Sequence, residues 1–246
     1  MDAAIVTVGD ELLAGDIENT NATWLADELT ARGVEVARIL VVPDDEQVVA
    51  GVVDDWSAQF GAVLVTGGLG GTPDDVTMPA VAAGLDRETV VDPAVEAEVQ
   101  AKIDGVYEAN PDLDFELRAE WYASMPAGAT PIPNPEGLAP GCVVENVYVL
   151  PGIPEEMTAV FENVATEFAG DVTTRTLYSP EPEGALASLL GEIREEFDVR
   201  VGSYPNRDAG ETRLKLTGDD EGTVREAVRW LREHADVELR VEADRG

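Results

Sequence analysis

The sequence has a single cysteine, Cys142, a single histidine, His234, and only two lysines, Lys102 and Lys215. A lone cysteine cannot form a disulfide within its own chain or a cysteine zinc site. A lone histidine argues against a histidine-rich metal site, a Ser-His-Asp triad and a histidine general base. We therefore expect Cys142 to be a buried, unreactive thiol in an intracellular protein.

Long apolar runs are absent as well. No stretch approaches the 18 or so apolar residues that a membrane-spanning helix needs. The N-terminal segment MDAAIVTVGDELL lacks a basic leader and carries acids within its apolar part, which is typical of a strand entering a turn and not of a signal peptide. We expect no membrane partner and a cytoplasmic location.

Positive charge is scarce, since 50 acidic residues face 16 basic ones and the formal net charge is −34. Such self-repulsion opposes a compact fold in dilute buffer, but molar salt shortens the Debye length to about 3 Å and screens it. Apolar residues form 44% of the chain, which is too much for a disordered acidic protein. The composition predicts a folded protein of a salt-rich cytoplasm, as in halophilic archaea, that does not bind free nucleic acid.

The first part of the chain alternates strand and helix patterns. Strands are predicted over 3–8, 34–42 and 62–66, and helices over 21–32 and 44–60. Residues 92–126 are mostly helical in pattern, 142–150 form a hairpin around Asn146, and 154–168 form a further helix. This order predicts a three-layer α/β/α sandwich with a mostly parallel sheet over residues 1–170.

The pattern changes after Gly170. Residues 171–246 carry 11 of the 16 bases but only 18 of the 50 acids. Their predicted order is strand, helix, strand, strand, helix, strand, with the last strand over 237–241. This βαββαβ order predicts a second, small α+β domain over residues 171–246.

The segment 66–77, TGGLGGTPDDVT, has four glycines in five positions after a buried strand and before a helix. Glycines let the backbone approach an anion, and the following helix start favours phosphate. Asp74 and Asp75 add two hard oxygen ligands for a divalent cation. The alternative is a flexible loop in which Asp75 or Thr77 only caps the helix. No Gly-Lys-Ser/Thr follows, so the loop is not of the Walker A type.

Three other segments could border the same pocket. Residues 9–21 follow the first strand, at the sheet edge where ligands bind in open α/β folds, and contain Glu11 and Asn21. Residues 134–141, NPEGLAPG, form a stiff loop that suits a ligand wall or a plain chain reversal. Residues 150–157, LPGIPEEM, lead from a strand into a helix, where Glu155 and Glu156 could simply favour the helix dipole.

Together the four segments resemble one family, the MoaB/Mog-type molybdopterin-binding domain, in its CinA (competence/damage-inducible) branch. The family patterns are TGGxG…DD…T, GxELLxGxxxxTN, NPxGxAPG and LPGxPxEM. Two positions depart from the usual pattern, since Gly71 replaces a proline and Leu138 replaces a threonine. The tail, with Gly202-Ser203-Tyr204-Pro205, resembles the KH-like domain that follows in CinA proteins, and we expect the C-terminal amidase domain of full-length CinA to be absent.

The resemblance implies one of two activities. MoaB/Mog proteins bind molybdopterin and adenylylate it with MgATP, whereas the CinA branch is associated with metal-dependent hydrolysis of ADP-ribose and related pyrophosphates. We favour pyrophosphate hydrolysis, because the opening and closing motifs are of CinA type. A non-enzymatic module that binds a nucleotide or a partner is a third possibility, although the tail lacks a Gly-x-x-Gly loop for RNA and is acidic.

The resemblance also implies site residues. Asp74 and Asp75 would hold the metal or orient water, and Glu11 would bind metal or act as general base. The ligand would be bound by Thr66, Gly67, Gly68, Gly70, Thr72, Asn21, Asn134, Gly137, Pro140 and Gly141. The implied cofactor is Mg²⁺, Mn²⁺ or Co²⁺, with potassium as a further candidate cation. The ligand would be a phosphorylated nucleotide or a pterin such as molybdopterin, bound by a homo-oligomer.

Overall fold

The computed structural model describes residues 1–112 and 116–239. The strands are β1 (Asp2–Val8), β2 (Glu35–Val42), β3 (Ala62–Thr66), β4 (Thr89–Val91), β5 (Ser124–Pro126), β6 (Thr130–Ile132), β7 (Gly141–Val144), β8 (Val147–Leu150), β9 (Thr173–Ser179), β10 (Arg200–Asn206), β11 (Glu211–Gly218) and β12 (Glu238–Leu239). The helices are α1 (Asp10–Ala14), α2 (Thr20–Ala31), α3 (Glu46–Ser57), α4 (Thr77–Gly84), α5 (Pro93–Ala109), α6 (Ala119–Tyr122), α7 (Pro154–Glu162), α8 (Glu183–Glu196) and α9 (Glu221–His234).

The central sheet has six strands in the order β2-β1-β3-β8-β7-β6. Strand β1 pairs in parallel with β2 and with β3, and β3 pairs in parallel with β8. Strands β7 and β6 extend the sheet through antiparallel pairs. The predicted α/β fold with a mostly parallel sheet is confirmed.

Both faces of this sheet are covered, as a parallel sheet requires. The neighbouring residues Ile5 and Val6 point to opposite faces, and both are fully buried. On one face, Val6 belongs to a core cluster that includes residues from α3, α4 and α5, among them Val53, Val81 and Ile103. Elsewhere in the same unit, the ring of Trp24 in α2 meets Phe161 in α7 edge to face, with centroids 5.4 Å apart.

The parallel strands bring three loop starts to one edge of the sheet. Gly9 follows β1 and donates its N–H to the carbonyl of Val42 at the end of β2, at 3.1 Å. Gly67 follows β3 and donates to the carbonyl of Leu150 at the end of β8, at 3.2 Å. The segments that begin at Gly9, Gly67 and Pro151 therefore start side by side.

The tail has its own antiparallel sheet, in the order β10-β11-β9-β12. The element order is βαββαβ, and the predicted small α+β fold is confirmed. Its core contains Leu177, Leu214, Ile193 and Leu231 from both strands and helices. The part of the predicted strand 237–241 beyond residue 239 lies outside the described residues.

The described residues form two compact units, one made of 1–29, 35–112 and 116–169, and the other of 30–34 and 170–239. Residues 30–34 thus group with the tail, although their sequence predicts the end of a helix and the start of a strand of the first domain. Among the described helices, none is both long enough and apolar enough to cross a membrane.

Several elements differ from the sequence-based prediction. Residues 92–126 are not helical throughout, because Ser124–Pro126 pairs with Thr89–Val91 as a small separate sheet. The helix predicted over 44–60 begins only at Glu46, because the Asp45 side chain caps it by accepting the N–H groups of Gln47 and Val48.

The single thiol lies in the core of the first unit. Cys142 is fully buried, and its sulfur lies 3.7 Å from that of Met78. Burial raises the pKa of Cys142 to about 12. The thiol is therefore protonated and unreactive at neutral pH.

Candidate ligand cleft at the sheet edge

A cleft of about 630 Å³ opens where the segments after β1, β3 and β8 meet. Eight of the residues predicted for the site line it: Glu11, Asn21, Thr66, Gly67, Gly68, Gly70, Asp74 and Asp75. Five others do not line it, namely Thr72, Asn134, Gly137, Pro140 and Gly141. All four motif segments therefore contribute to the cleft, the segment 134–141 only through Leu138 and Ala139 and the segment 150–157 through residues such as Gly152 and Glu156.

The glycine loop needs glycine at two positions. Gly67 and Gly68 have φ values of +103° and +63°, which side chains rarely tolerate. A Cβ on Gly67 would overlap the carbonyl oxygen of Val8, and one on Gly68 would lie 2.5 Å from the hydroxyl of Thr77. The loop can thus pass close to both β1 and the start of α4.

The backbone N–H groups of this loop are not equally available. Gly67 donates to the carbonyl of Leu150, and Gly70 donates to Oδ1 of Asp75 at 2.7 Å. Gly68 has no such partner within residues 1–112 and 116–239. Of the three glycines expected to offer N–H groups to phosphate, Gly68 is the one that can do so without giving up a bond.

Asp75 holds the loop in shape. One carboxylate oxygen accepts the N–H of Gly70, and the other accepts the N–H of Thr72 at 2.8 Å together with the Thr72 hydroxyl. Neither Asp75 nor Thr77 caps α4 through its side chain, because the residue before the helix is Val76 and the Thr77 hydroxyl donates to the Gly67 carbonyl at 2.7 Å. The predicted capping alternative is therefore not what the loop does.

Asp44 lies near three other carboxylates, those of Asp10, Glu11 and Asp74. Asp44, just after β2, accepts the N–H of Asp10 at 2.8 Å. Burial raises the pKa of Asp44, and the negative charges of Asp10, Glu11 and Asp74 raise it further. The pKa of the exposed Asp74 is lowered, mainly by the nearby Thr72 side chain and also by its own backbone N–H.

Sequence interpretation missed Asp44, which it placed at the start of a helix. The signal was present, because Asp44 follows the carboxyl end of a strand adjacent to β1, where parallel sheets place their ligands. The role of Asp44 was obscured because its neighbour Asp45 is also an acid. Asp45 caps α3, whereas Asp44 lines the cleft.

The charge of the lining is entirely of one sign. The lining contains six carboxylates, from Glu11, Glu18, Asp44, Asp74, Asp75 and Glu156, and no lysine or arginine. In the described parts of the chain, no three acidic, histidine or cysteine side chains are already arranged as a metal site. An anion could enter only together with a cation.

Asn21 is fixed in orientation and keeps an unused acceptor. Its Nδ2 donates to the carbonyl of Gly152 at 2.7 Å and to the hydroxyl oxygen of Thr66 at 3.3 Å. The Thr66 hydroxyl donates in turn to the carbonyl of Pro151 at 2.5 Å. Oδ1 of Asn21 is buried without a partner among the described residues, a situation that a ligand donor would relieve.

The loop 134–141 is held in shape by hydrogen bonds of Asn134 and Lys102, neither of which lines the cleft. The side chain of buried Asn134 donates to the Ala139 carbonyl at 2.8 Å and to Glu156 at 2.7 Å, and it accepts the N–H of Gly137 at 3.0 Å. Lys102 donates its ammonium to the carbonyls of Asn134 and Gly137, at 2.6 and 3.2 Å. Asn134 and Gly137 thus set the shape of the wall.

Tyr122 and Glu156 also line the cleft, and neither was singled out from the sequence as a site residue. Burial raises the pKa of Tyr122, and the charges of Asp75 and Glu156 raise it further. No sequence motif marks Tyr122. Glu156 could have been found through its position in the LPGIPEEM segment.

Comparison with known proteins agrees with this architecture. Residues 4–170 match the family model described as a probable molybdopterin binding domain, and residues 171–244 match that of the FAD synthase middle domain. An Archaeoglobus fulgidus protein is 36% identical over 235 residues, which are 95% of this chain and 97% of that protein. The likeness of the tail to a KH-like domain stays a prediction.

Two similar proteins carry the CinA name. A CinA-like protein of Gemmatimonas aurantiaca is 34% identical over 252 residues, covering 95% of this chain and 58% of that protein. A crystal structure of the protein CinA, of unknown function, from Thermoplasma acidophilum has a TM-score of 0.60 and 32% identity, covering 68% of this chain and 97% of that one. The chain therefore belongs to the family of probable molybdopterin binding domains and has CinA-like relatives.

Proposed function

We propose that the protein is a divalent-metal-dependent pyrophosphatase that acts on dinucleotides such as ADP-ribose. The observation that carries the proposal is the make-up of the cleft, where an open glycine N–H and six carboxylates meet without a basic side chain. Phosphate fits the glycine loop, but the carboxylates repel it unless a cation lies between them.

The residues present fit such a cation. Magnesium is commonly held by one or two carboxylates together with phosphate oxygens, so the lack of a complete protein ligand set among the described residues is compatible with it. Asp44 and Asp74 are the best candidates, because both line the cleft and the charge of Asp74 raises the pKa of Asp44. A bound divalent ion would neutralise phosphate charge and lower the pKa of a bound water.

The other residues take supporting roles. Gly68 donates its N–H to a phosphate oxygen, and Asp75 keeps the loop in the shape that presents it. Glu11, whose charge reaches Asp44, accepts a proton from water or assists at the metal. Asn21 accepts an O–H or N–H of the ligand through its unused Oδ1.

The tail adds a reason to test more than one dinucleotide. It resembles the middle domain of FAD synthase, and FAD is itself a dinucleotide joined through a pyrophosphate. The test is incubation of the purified protein in molar potassium chloride with ADP-ribose, NAD or FAD and with Mg²⁺, Mn²⁺ or Co²⁺. Release of AMP from at least one of them, abolished by a chelator, is expected.

Matched variants assign the activity to the cleft. Asp44→Asn should clearly slow AMP release, whereas Asp54→Asn, at an exposed acid of α3 outside the cleft, should leave it intact. Absence of turnover with every dinucleotide and metal would refute the hydrolase proposal. Tight molybdopterin binding in that case would favour molybdenum cofactor biosynthesis, the second candidate, which the family match supports.

A further inference from the structure

Tyr122 occupies a space that Gly71 leaves open. Tyr122 ends α6 and lines the cleft beside the glycine loop. A Cβ added to Gly71 would lie 2.8 Å from the Tyr122 hydroxyl and 3.5 Å from the ring of Trp121. The family that the sequence resembles usually has proline at this position, and the glycine of this chain leaves free the space beside the phenol that a side chain would enter.

The Tyr122 hydroxyl differs from two other hydroxyls of the cleft, those of Thr7 and Thr66. The hydroxyls of Thr7 and Thr66 also line the cleft, but they are donated to the carbonyls of Leu40 and Pro151. No described residue forms a hydrogen bond with the hydroxyl of Tyr122, which is half-buried at the cleft wall. Its proton can therefore be donated to a ligand without breaking a bond within the protein.

The charge of the cleft makes a neutral donor valuable. Because no lysine or arginine lines it, a phosphate depends on a cation and on uncharged donors. Burial, followed by the charges of Asp75 and Glu156, raises the pKa of Tyr122, so the phenol keeps its proton throughout the neutral range.

We propose that the Tyr122 hydroxyl donates a hydrogen bond to a phosphate oxygen of the ligand, in a subsite opened by Gly71. It takes the place that a basic side chain fills in many phosphate sites. The inference rests on the proposed function only in taking a phosphorylated nucleotide as the ligand.

Tyr122→Phe tests the donor, since it removes one oxygen and keeps the ring. AMP and adenosine serve as probes in calorimetric titrations with Mg²⁺ in molar potassium chloride. A hydrogen bond to a charged oxygen is worth enough to weaken AMP binding about tenfold or more, with adenosine binding unchanged. Tyr148→Phe is the matched control, because it removes a phenol oxygen that bonds Glu167 outside the cleft, and it should alter neither affinity.

Gly71→Ala tests whether the Tyr122 hydroxyl needs the space beside Gly71 to reach the ligand. The added methyl group would push the hydroxyl away, so it should weaken AMP binding in the wild type and have little further effect in Tyr122→Phe. Unchanged AMP affinity in Tyr122→Phe would overturn the proposal. Equal weakening of AMP and adenosine would overturn it as well, because it would assign the hydroxyl a packing role.

The AMP-binding experiment can succeed or fail independently of the hydrolysis experiment that tests the proposed function. Selective loss of AMP affinity in a protein that hydrolyses no dinucleotide would support the Tyr122 subsite and refute the hydrolase. Turnover of ADP-ribose with equal AMP affinity in wild type and Tyr122→Phe would do the reverse. Failure of the wild type both to bind AMP and to turn over any dinucleotide would overturn both.

Discussion

Two loops border the cleft, and they do so by different means. The glycine loop, residues 66–77, lines the cleft with its motif residues. The side chain that holds it in shape, Asp75, belongs to the loop itself. The loop 134–141 is held by Lys102 of α5 and by Glu156 of α7, which accepts from Asn134. It presents only Leu138 and Ala139 to the cleft.

The difference separates two uses of a sequence motif. In the glycine loop, motif residues offer charge and an N–H to a ligand. In the loop 134–141, the polar motif residue Asn134 is almost fully buried and determines shape, while the apolar residues Leu138 and Ala139 make the wall. Substitutions of polar side chains should therefore affect mainly chemistry in the first loop and mainly stability in the second.

The largest expected effect is on AMP release, and it comes from substituting Asp74 of the glycine loop together with Asp44, which follows β2. Asp74→Asn combined with Asp44→Asn removes two candidate metal ligands, so AMP release should fall by about a hundredfold or more. Asp74 is exposed, and Asp44 accepts only one described hydrogen bond, from Asp10. The melting curve should change little, and a collapse of the fold would contradict the assignment.

Sequence alone predicted the fold and the place of the cleft because both depend on local patterns. Strand and helix periodicity gave the parallel sheet, and the glycine run after β3 marked its functional edge. Asp44 and Tyr122 could not be found this way. Asp44 lies next to a near-identical acid with a different task, and Tyr122 reaches the cleft through tertiary packing against Gly71.

The roles within the motifs were also beyond the sequence. Asp74 and Asp75 are adjacent and chemically identical, yet one is exposed and the other binds three donors of its own loop. The distinction depends on the backbone path of the loop, which spacing does not encode.

The second prediction concerns the polar anchor of the loop 134–141. Asn134→Ala would leave buried partners such as the Ala139 carbonyl and the Gly137 N–H unsatisfied, at a cost of about 2–3 kcal/mol. Thermal unfolding in molar salt should show a clearly lower midpoint. Asn163→Ala is the control, since that exposed side chain also makes two hydrogen bonds but should cost far less. Equal shifts would refute the special role of Asn134.

Gly68→Ala should destabilise the first loop by about 2 kcal/mol. An alanine at φ +63° is strained by about 1–2 kcal/mol, and its methyl group would meet the Thr77 hydroxyl. Gly51→Ala is the matched control, because a Cβ there meets nothing within 4 Å in the middle of α3, so alanine should stabilise the helix. Urea titrations of both variants should give shifts of opposite sign, and shifts of the same sign would contradict the backbone argument.

The smallest expected effect concerns Lys102, one of only two lysines among 16 basic residues. Its ammonium is a compact charge that reaches two carbonyls at once, whereas the guanidinium of arginine is larger and presents its donors in a fixed planar fork. Lys102→Arg should therefore lower stability by about 1 kcal/mol, the worth of a typical hydrogen bond.

Lys102 also pairs with Glu98 one helical turn away, at 3.3 Å, and that contact must be separated from the carbonyl contacts. Glu98→Gln removes the ion pair alone, and a partly exposed pair of this kind contributes only a few tenths of a kcal/mol. Urea titration should thus rank wild type and Glu98→Gln close together, with Lys102→Arg clearly below them. A larger loss in Glu98→Gln than in Lys102→Arg would mean that Lys102 serves α5 and that the loop 134–141 is held by Asn134 without its help.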